Sequence, residues 1–282
     1  MKIILAKESG FCFGVKRAAD MALTKANGAH VNTYGPLIHN PKFIDFLAQK
    51  NISIANSLEE LTAEKIVIRA HGIPKGIKTE MLKRGLKIID ATCPFVRKVQ
   101  KLAEEYEAEG YQVIILGEKS HPEIIGLQGY APNSIVIKSL SDIPKFNRKE
   151  KIALIAQTTQ NVKIYDEIAG HIRENYSNLI VADTICDATE KRQYAARELA
   201  KRVDLMIVIG GKNSSNTTRL KEICEKIVCT HHIESESELQ KDWFVNINNV
   251  GVTAGASTPD FSIEATINEI KLFNNTFAGS KR

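Results

Sequence analysis

The chain has 282 residues, of which 43% are apolar and 25% are charged, a composition typical of a globular protein with a large core. Its formal net charge of +5 is mild, and no basic run, zinc-finger spacing or aromatic RNA-binding motif indicates a nucleic-acid partner. No apolar run approaches the roughly 18 residues of a membrane span. No signal peptide is recognisable either, so we expect a cytoplasmic protein whose five cysteines do not form structural disulfides.

The first predicted elements surround Cys12. The run KIILA predicts a buried strand, and VKRAADMALTKA predicts a helix. Cys12 lies on the turn between them, and the basic pair Lys16 and Arg17 follows. We expect the flanking Phe11 and Phe13 to shield the group that this thiol binds.

The same arrangement occurs twice more along the chain. Cys93 follows the predicted strand LKIID, and Cys186 follows the predicted strand LIVAD. A helix with basic residues in its first two turns comes after each cysteine, beginning near Pro94 and Asp187. Cys224 and Cys229 have no such counterparts, and we expect them to be core residues.

Polar residues follow the later strands of each repeat. The strand after each cysteine-bearing turn and helix ends in glycine, and His39, His121 or Ser214 comes soon afterwards. A further strand precedes a second polar group, which contains His71, Gln157 to Thr159, or Ser257 and Thr258.

This internal triplication predicts an α/β protein of three pseudo-equivalent units, each with a small, mostly parallel sheet. We place the units at residues 1–84, 85–178 and 179–282. The polar groups would lie at the carboxyl ends of the strands, where such sheets bind ligands. If the units pack around a pseudo-threefold axis, the three cysteines and these polar residues converge on one cavity.

Three cysteines at helix N-termini with cationic neighbours favour the thiolate form, which binds metals. Zinc would need a fourth ligand or a water molecule, whereas a [4Fe–4S] cluster would leave one iron open to substrate. Zinc sites usually contain a close pair of ligands, which is missing here. The HPE triplet at residues 121–123 matches half of the zinc-deaminase motif, but its P-C-x-x-C partner is absent. The pattern therefore favours the cluster.

The polar loops indicate an anionic ligand. Histidine, serine and asparagine donors suit a phosphate or diphosphate, while neither a P-loop nor a dinucleotide fingerprint is present. Glu123 is the only carboxylate in these loops close to a histidine, and it is the candidate proton donor.

The motifs GFCFGVKRA, GPLIHNP, RAHGIP, DATCPFVRKV, SHPEIIG, AQTTQ, ADTICDAT, GGKNSSNTTRL and TAGASTPD resemble, in order, those of the 4-hydroxy-3-methylbut-2-enyl diphosphate reductases. This family catalyses the last step of the methylerythritol phosphate route to isoprenoids. The resemblance runs from residue 1 to about residue 270.

The resemblance implies a trefoil of three α/β units around one [4Fe–4S] cluster held by Cys12, Cys93 and Cys186. It also implies reductive dehydroxylation to isopentenyl and dimethylallyl diphosphate, with electrons from ferredoxin or flavodoxin and its reductase. Glu123 would deliver protons, and Thr158 would position Glu123 and the substrate hydroxyl. The implied diphosphate-binding residues are His39, His71, His121, Ser214, Ser215, Asn216 and Ser257.

Three other functions fit parts of the pattern. Quinolinate synthase also has three pseudo-equivalent units and a three-cysteine cluster, but its reaction involves no net reduction. A non-enzymatic iron–sulfur sensor would need no acid such as Glu123. A zinc hydrolase would be colourless when purified without air, whereas a cluster protein is brown.

Overall fold

The structure, a computed structural model, describes residues 1–38, 40–147 and 149–279. It has the predicted α/β class. The predicted ligand-binding residue His39 lies outside the described residues. Within the described ranges, no helix is both long enough and apolar enough to span a bilayer.

The strands and helices alternate along the chain. The strands are β1 (Lys2–Leu5), β2 (Val31–Tyr34), β3 (Ile52–Ala55), β4 (Lys65–Ile68), β5 (Lys87–Asp90), β6 (Gln112–Leu116), β7 (Ile135–Ile137), β8 (Lys151–Ala156), β9 (Asn178–Val181), β10 (Leu205–Ile209), β11 (Thr230–Ile233) and β12 (Asn249–Ala254). The α-helices are α1 (Phe13–Ala26), α2 (Pro41–Ala48), α3 (Lys75–Lys83), α4 (Pro94–Ala108), α5 (Pro122–Gln128), α6 (Val162–Asn175), α7 (Asp187–Ala200), α8 (Ser215–Glu225) and α9 (Asp260–Gly279).

The strands of the described residues form three four-stranded sheets with the same topology. Their orders are β3-β2-β4-β5 in the first sheet, β7-β6-β8-β9 in the second and β11-β10-β12-β1 in the third. All pairings are parallel. In the first and second sheets, the chain passes from one central strand to the neighbouring strand on one side and from the other central strand to the neighbouring strand on the opposite side; in the third sheet, β1 occupies the equivalent outer position beside β12. Parallel sheets bind ligands at such a switch point, beyond the carboxyl ends of the two central strands. The predicted threefold repeat of a parallel sheet is confirmed.

Two features of the sheets differ from the pattern read in the sequence. The outer strands β3, β7 and β11 were not predicted from the sequence. The strand before each cysteine completes the sheet of the preceding repeat: β5 pairs with β4, β9 with β8, and β1 with β12. Residues 87–90, placed in the second predicted unit, therefore pair with strands of the first.

The chain divides into two compact units. One unit comprises Met1–Val15, Ile38–Ile44 and Asp187–Arg282 and contains the third sheet; the other comprises Lys16–Leu37 and Asp45–Cys186 and contains the first and second sheets. We call them the N/C unit and the middle unit. The three unit boundaries proposed from the sequence stay a prediction.

Helices cover both faces of the second sheet. Val113 and Ile115 of β6 pack with apolar residues of α4 and α5, whereas Ile114 and Leu116 pack with apolar residues of α6. The third sheet follows the same rule, with α7 and α8 on one face and α9 on the other. A strand buried on both faces reads as a continuous apolar run, as QVIIL and LMIVI do.

Candidate active site

Each of Cys12, Cys93 and Cys186 immediately precedes a helix, as predicted. Their backbone N–H groups donate to equivalent carbonyl oxygens just beyond the third strand of a sheet, at distances of 2.9 to 3.0 Å. The acceptors are Ala256 for Cys12, Ala70 for Cys93 and Thr158 for Cys186. The triplication therefore extends to the backbone hydrogen bonds that fix each cysteine.

None of the five cysteines, all of which the structure describes, forms a disulfide. Cys12, Cys93 and Cys186 are half-buried. Cys224 is fully buried in the core beside α7, as expected, and burial raises its pKa to about 12. The prediction that Cys229 is a core residue was wrong: it lies exposed after the end of α8, and its Sγ is 3.8 Å from His231 Nε2.

The middle unit brings His71 and His121 together. Their rings meet edge to face, with centroids 5.3 Å apart. His121 caps α5, and its Nδ1 accepts the backbone N–H of Glu123 at 3.2 Å. Because an accepting Nδ1 carries no proton, the neutral ring of His121 has its proton on Nε2 and can donate it to a ligand.

Glu123 begins the first turn of α5 and is only 1% exposed. Its Oε1 accepts the backbone N–H of Thr158 at 2.7 Å, and its Oε2 accepts the Thr158 hydroxyl at 2.9 Å. Burial raises the pKa of Glu123 from 4.5 to about 7, although both hydrogen bonds from Thr158 lower it. A carboxyl group with this pKa can act as an acid near neutral pH.

Gln157 holds the two loops that carry Glu123 and Thr158. It is fully buried; its Oε1 accepts the backbone N–H of Glu118 at 3.1 Å, and its Nε2 donates to Thr159 Oγ1 at 3.0 Å. Gly117 lets the side chain of Ile124 pack closely against the backbone after β6, because a Cβ atom at this position would lie 2.4 Å from that side chain. The sequence analysis predicted Gln157 only as a polar loop residue. Its position directly after a strand was the feature that could have indicated its role.

The N/C unit carries the predicted serines and asparagine at the start of α8. Ser214 caps this helix, and its hydroxyl accepts the backbone N–H of Thr217 at 3.4 Å. Ser215 and Asn216 are buried in the first turn. Asn216 is 5% exposed, yet neither of its amide atoms has a hydrogen-bond partner among the described residues. A buried amide without partners at a helix N-terminus is suited to an anionic ligand.

Two glycines bring the first turn of α8 against the ends of β10 and β12. A Cβ atom at Gly210 would lie 2.7 Å from Thr217 Oγ1, and one at Gly255 would lie 2.1 Å from the same atom. Gly210 also has a φ of +146°, which only glycine adopts readily. Ser257 lies two residues after Gly255, next to Ala256, whose carbonyl accepts the N–H of Cys12.

A buried arginine fixes the turn before Cys12. Arg192 of α7 donates from one terminal nitrogen to the carbonyl of Gly10 at 2.9 Å. The sequence showed a basic residue here but gave no signal that it was buried. Phe11 packs edge to face on Phe43, and Phe13 is 64% exposed, so the expectation that both phenylalanines shield the group bound by Cys12 stays a prediction.

The predicted site residues thus form one group in each unit. The middle unit connects His71, His121, Glu123 and Thr158 with the backbones at Cys93 and Cys186, and the N/C unit holds Cys12, Ser214, Ser215, Asn216 and Ser257. Within residues 1–38, 40–147 and 149–279, no group of three or more His, Cys, Asp or Glu side chains is placed to hold a metal ion. The assignment of three cysteine ligands therefore depends on their repeat-equivalent positions and on the sequence resemblance.

Comparisons with known proteins agree with the motif pattern. The family model described as "LytB protein" matches residues 3–271. The chain is 44% identical to 4-hydroxy-3-methylbut-2-enyl diphosphate reductase of Thermoanaerobacter sp. (strain X514), over 96% of this chain and 97% of the relative. It is 42% identical to the enzyme of that name from Aquifex aeolicus (strain VF5), over 95% and 96% of the two chains.

Solved structures give the same result. A structure of (E)-4-hydroxy-3-methyl-but-2-enyl diphosphate reductase is 42% identical and superposes with a TM-score of 0.71, covering 96% of this chain and 99% of the other. The Plasmodium falciparum E-1-hydroxy-2-methyl-but-2-enyl-4-diphosphate reductase is 27% identical, with a TM-score of 0.87 and coverage of 95% and 87%. A match of this extent in both sequence and structure shows that the chain belongs to the LytB protein family.

Proposed function

We propose that this chain reduces 4-hydroxy-3-methylbut-2-enyl diphosphate in the last step of the methylerythritol phosphate pathway. The substrate takes up two electrons and two protons, loses its allylic hydroxyl group as water, and yields isopentenyl or dimethylallyl diphosphate. The observation that carries the proposal is the buried acid Glu123, which accepts two hydrogen bonds from Thr158. The carbonyl of Thr158 in turn accepts the N–H of Cys186.

The geometry of this pair supports one position for the proton. Oε1 of Glu123 already accepts the backbone N–H of Thr158, so the carboxylic proton belongs on Oε2. Protonated Oε2 then donates to Thr158 Oγ1 across the 2.9 Å contact, and the Thr158 hydroxyl has its own hydrogen to give to the substrate. We therefore assign Glu123 as the general acid and Thr158 as the group that transfers its proton and positions the substrate hydroxyl.

The diphosphate is assigned to the polar loops. Ser214, Ser215 and Asn216 offer hydroxyl and amide groups at the positive end of α8, and Ser257 adds a further hydroxyl. His121, with its proton on Nε2, is a neutral donor. His39 and His71 complete this assignment on the strength of the family resemblance.

The cysteines fit an iron–sulfur cluster by their chemistry. Cys12, Cys93 and Cys186 are half-buried and form no disulfide, and each lies at the positive end of a helix, where the thiolate is favoured. A bound [4Fe–4S] cluster with one iron lacking a protein ligand would supply electrons and a Lewis-acid position for the substrate hydroxyl. Cysteines that are not paired in disulfides also agree with a cytoplasmic location.

Purification without air and a turnover assay test the proposal. We expect a brown protein that consumes two reducing equivalents for each molecule of isopentenyl or dimethylallyl diphosphate formed. A colourless, active protein would indicate zinc chemistry instead. Condensation without electron consumption would indicate a quinolinate synthase, and a cluster without turnover would indicate a sensor.

A further inference from the structure

One face of α4 is unusually basic. Pro94, Arg97, Lys98, Lys101 and Glu105 recur at helical spacing and are exposed, whereas the opposite face of the helix is buried against the second sheet. Together with Arg17 of α1, Thr92 and Leu102, these residues line a cavity of about 380 Å³ in the middle unit. We call Arg17, Arg97, Lys98 and Lys101 the α4 basic face.

Most of this positive charge is not neutralised. Arg97 pairs with Asp90 at 3.0 Å and is the one member with a carboxylate partner among the described residues. Arg17 donates to the carbonyls of Ala91 and Thr92, and Lys98 donates to the carbonyl of Asp183, so these contacts cancel no charge. Among the described residues that line the cavity, Glu105 is the only one with a carboxylate.

The basic face adjoins a predicted cluster ligand. Cys93 caps α4, and its neighbours Thr92 and Pro94 both line the cavity. Phe95, directly after Pro94, is also exposed and adds an apolar surface beside the charges. A protein docked on this face would therefore contact the residues on both sides of Cys93.

The proposed reaction needs an external source of electrons. The conversion of one substrate molecule takes up two electrons and two protons and releases one water molecule. Glu123 and Thr158 supply protons only, so two equivalents of a reduced one-electron carrier must each give up one electron. A carrier that meets the enzyme twice in each turnover must bind briefly, and small charged interfaces steered by complementary charge suit such encounters.

We propose that the α4 basic face is the docking surface for a small acidic electron-carrier protein, which delivers its electrons next to Cys93. This inference rests on the proposed function. The charge complementarity selects an acidic carrier, and the position beside Cys93 gives the carrier a reason to bind here. The cavity could instead hold a small anion, and that alternative is an outcome of the test.

The test compares a charge reversal on this face with a matched reversal elsewhere. The variant Lys98→Glu/Lys101→Glu changes two exposed lysines of α4, and the control Lys163→Glu/Lys271→Glu changes two exposed lysines of α6 and α9. Binding of an oxidised acidic ferredoxin to each protein is measured by calorimetry at low salt. Turnover is then measured with the reduced ferredoxin and, separately, with reduced methyl viologen.

We expect the α4 variant to bind ferredoxin at least about tenfold more weakly and to show a correspondingly higher KM for it. Its turnover with methyl viologen should stay within about twofold of the parent. The control should match the parent in every measurement. Raising the salt concentration should weaken ferredoxin binding to the parent and the control but have little effect on the α4 variant.

Three results would overturn the docking surface. The first is unchanged ferredoxin binding in the α4 variant. The second is an equal loss of ferredoxin affinity in the variant and the control. The third is an equal loss of turnover with ferredoxin and with methyl viologen. If inorganic phosphate binds in the cavity and ferredoxin binding is unaffected, the cavity would be assigned to a small anion. If the parent itself fails to reduce the substrate with methyl viologen, it is the proposed function that fails.

Discussion

Thr158 holds the carboxyl group of Glu123 with two hydrogen bonds, one from its backbone N–H at 2.7 Å and one from its hydroxyl at 2.9 Å. Glu123 lies in α5, which follows β6, and Thr158 lies in the loop after β8; β6 and β8 are the central strands of the second sheet. Because β6 and β8 pair side by side, they bring together two residues that are 35 positions apart in the chain. The pair therefore depends on the sheet rather than on local sequence.

Replacing Glu123 by Gln keeps the size of the side chain but removes its acidic proton. We expect turnover to fall by about 10² to 10⁴, the range for loss of a general acid, while iron content stays at the parent level. Steady-state reduction with methyl viologen is the measurement. Glu118→Gln, in the same loop, is the matched control and should remain within a few-fold of the parent.

The raised pKa of Glu123 also predicts a pH dependence of stability. Between pH 4.5 and about 7 the folded state keeps a proton that the unfolded state has lost, so the free energy of unfolding falls as pH rises through this window. The loss is complete above about pH 7 and amounts to about 3.5 kcal/mol, at 1.4 kcal/mol per pKa unit.

Glu123→Gln should lack this loss. Denaturant midpoints of the cluster-free proteins at pH 5 and pH 8 should show the variant gaining stability relative to the parent at the higher pH. An identical difference at both pH values would mean that the carboxyl group titrates normally.

Removing the Thr158 hydroxyl tests the proton-transfer role. Thr158→Val loses a hydrogen bond that lowers the pKa of Glu123, so the decline of turnover at high pH should move to a higher pH. We also expect turnover at its maximum to fall about ten- to a hundredfold, as for loss of a hydrogen bond to a charged group. Thr158→Ser retains the hydroxyl and should restore both the profile and most of the rate.

The cysteine assignment predicts a clear division among the five thiols. Serine at position 12, 93 or 186 should abolish turnover and lower the iron content of protein purified without air. Cys224→Ala and Cys229→Ser should retain iron, because neither residue precedes a repeat-equivalent helix. Parent-level iron and turnover in Cys93→Ser would contradict the assignment.

The unpaired amide of Asn216 predicts an effect on anion binding. Asn216→Ala should weaken the binding of inorganic pyrophosphate about tenfold or more, measured by calorimetry. Asn213→Ala changes an exposed asparagine in the same loop and should leave the affinity unchanged. Equal affinities in both variants would remove Asn216 from the proposed diphosphate site.

The sequence by itself determined the repeat and most of its chemistry. The turn before a helix, the glycine after a strand and the polar loop that follows are local patterns, so Cys12, Cys93 and Cys186 were recognisable as equivalent positions. The same locality explains why Pro94 and Asp187 correctly marked the first residues of α4 and α7. Similarity of the ordered motifs was sufficient to identify the family.

Tertiary structure decided the features that depend on distant neighbours. The outer strands β3, β7 and β11 take their hydrogen-bond partners from the central strands β2, β6 and β10, which the local sequence does not reveal. The sequence likewise could not show that Arg192 is buried against Gly10 or that Cys229 is exposed. Glu123 was a reasonable acid from its sequence position, but only burial beside Thr158 gives it a pKa of about 7, because desolvation is set by the whole surrounding fold.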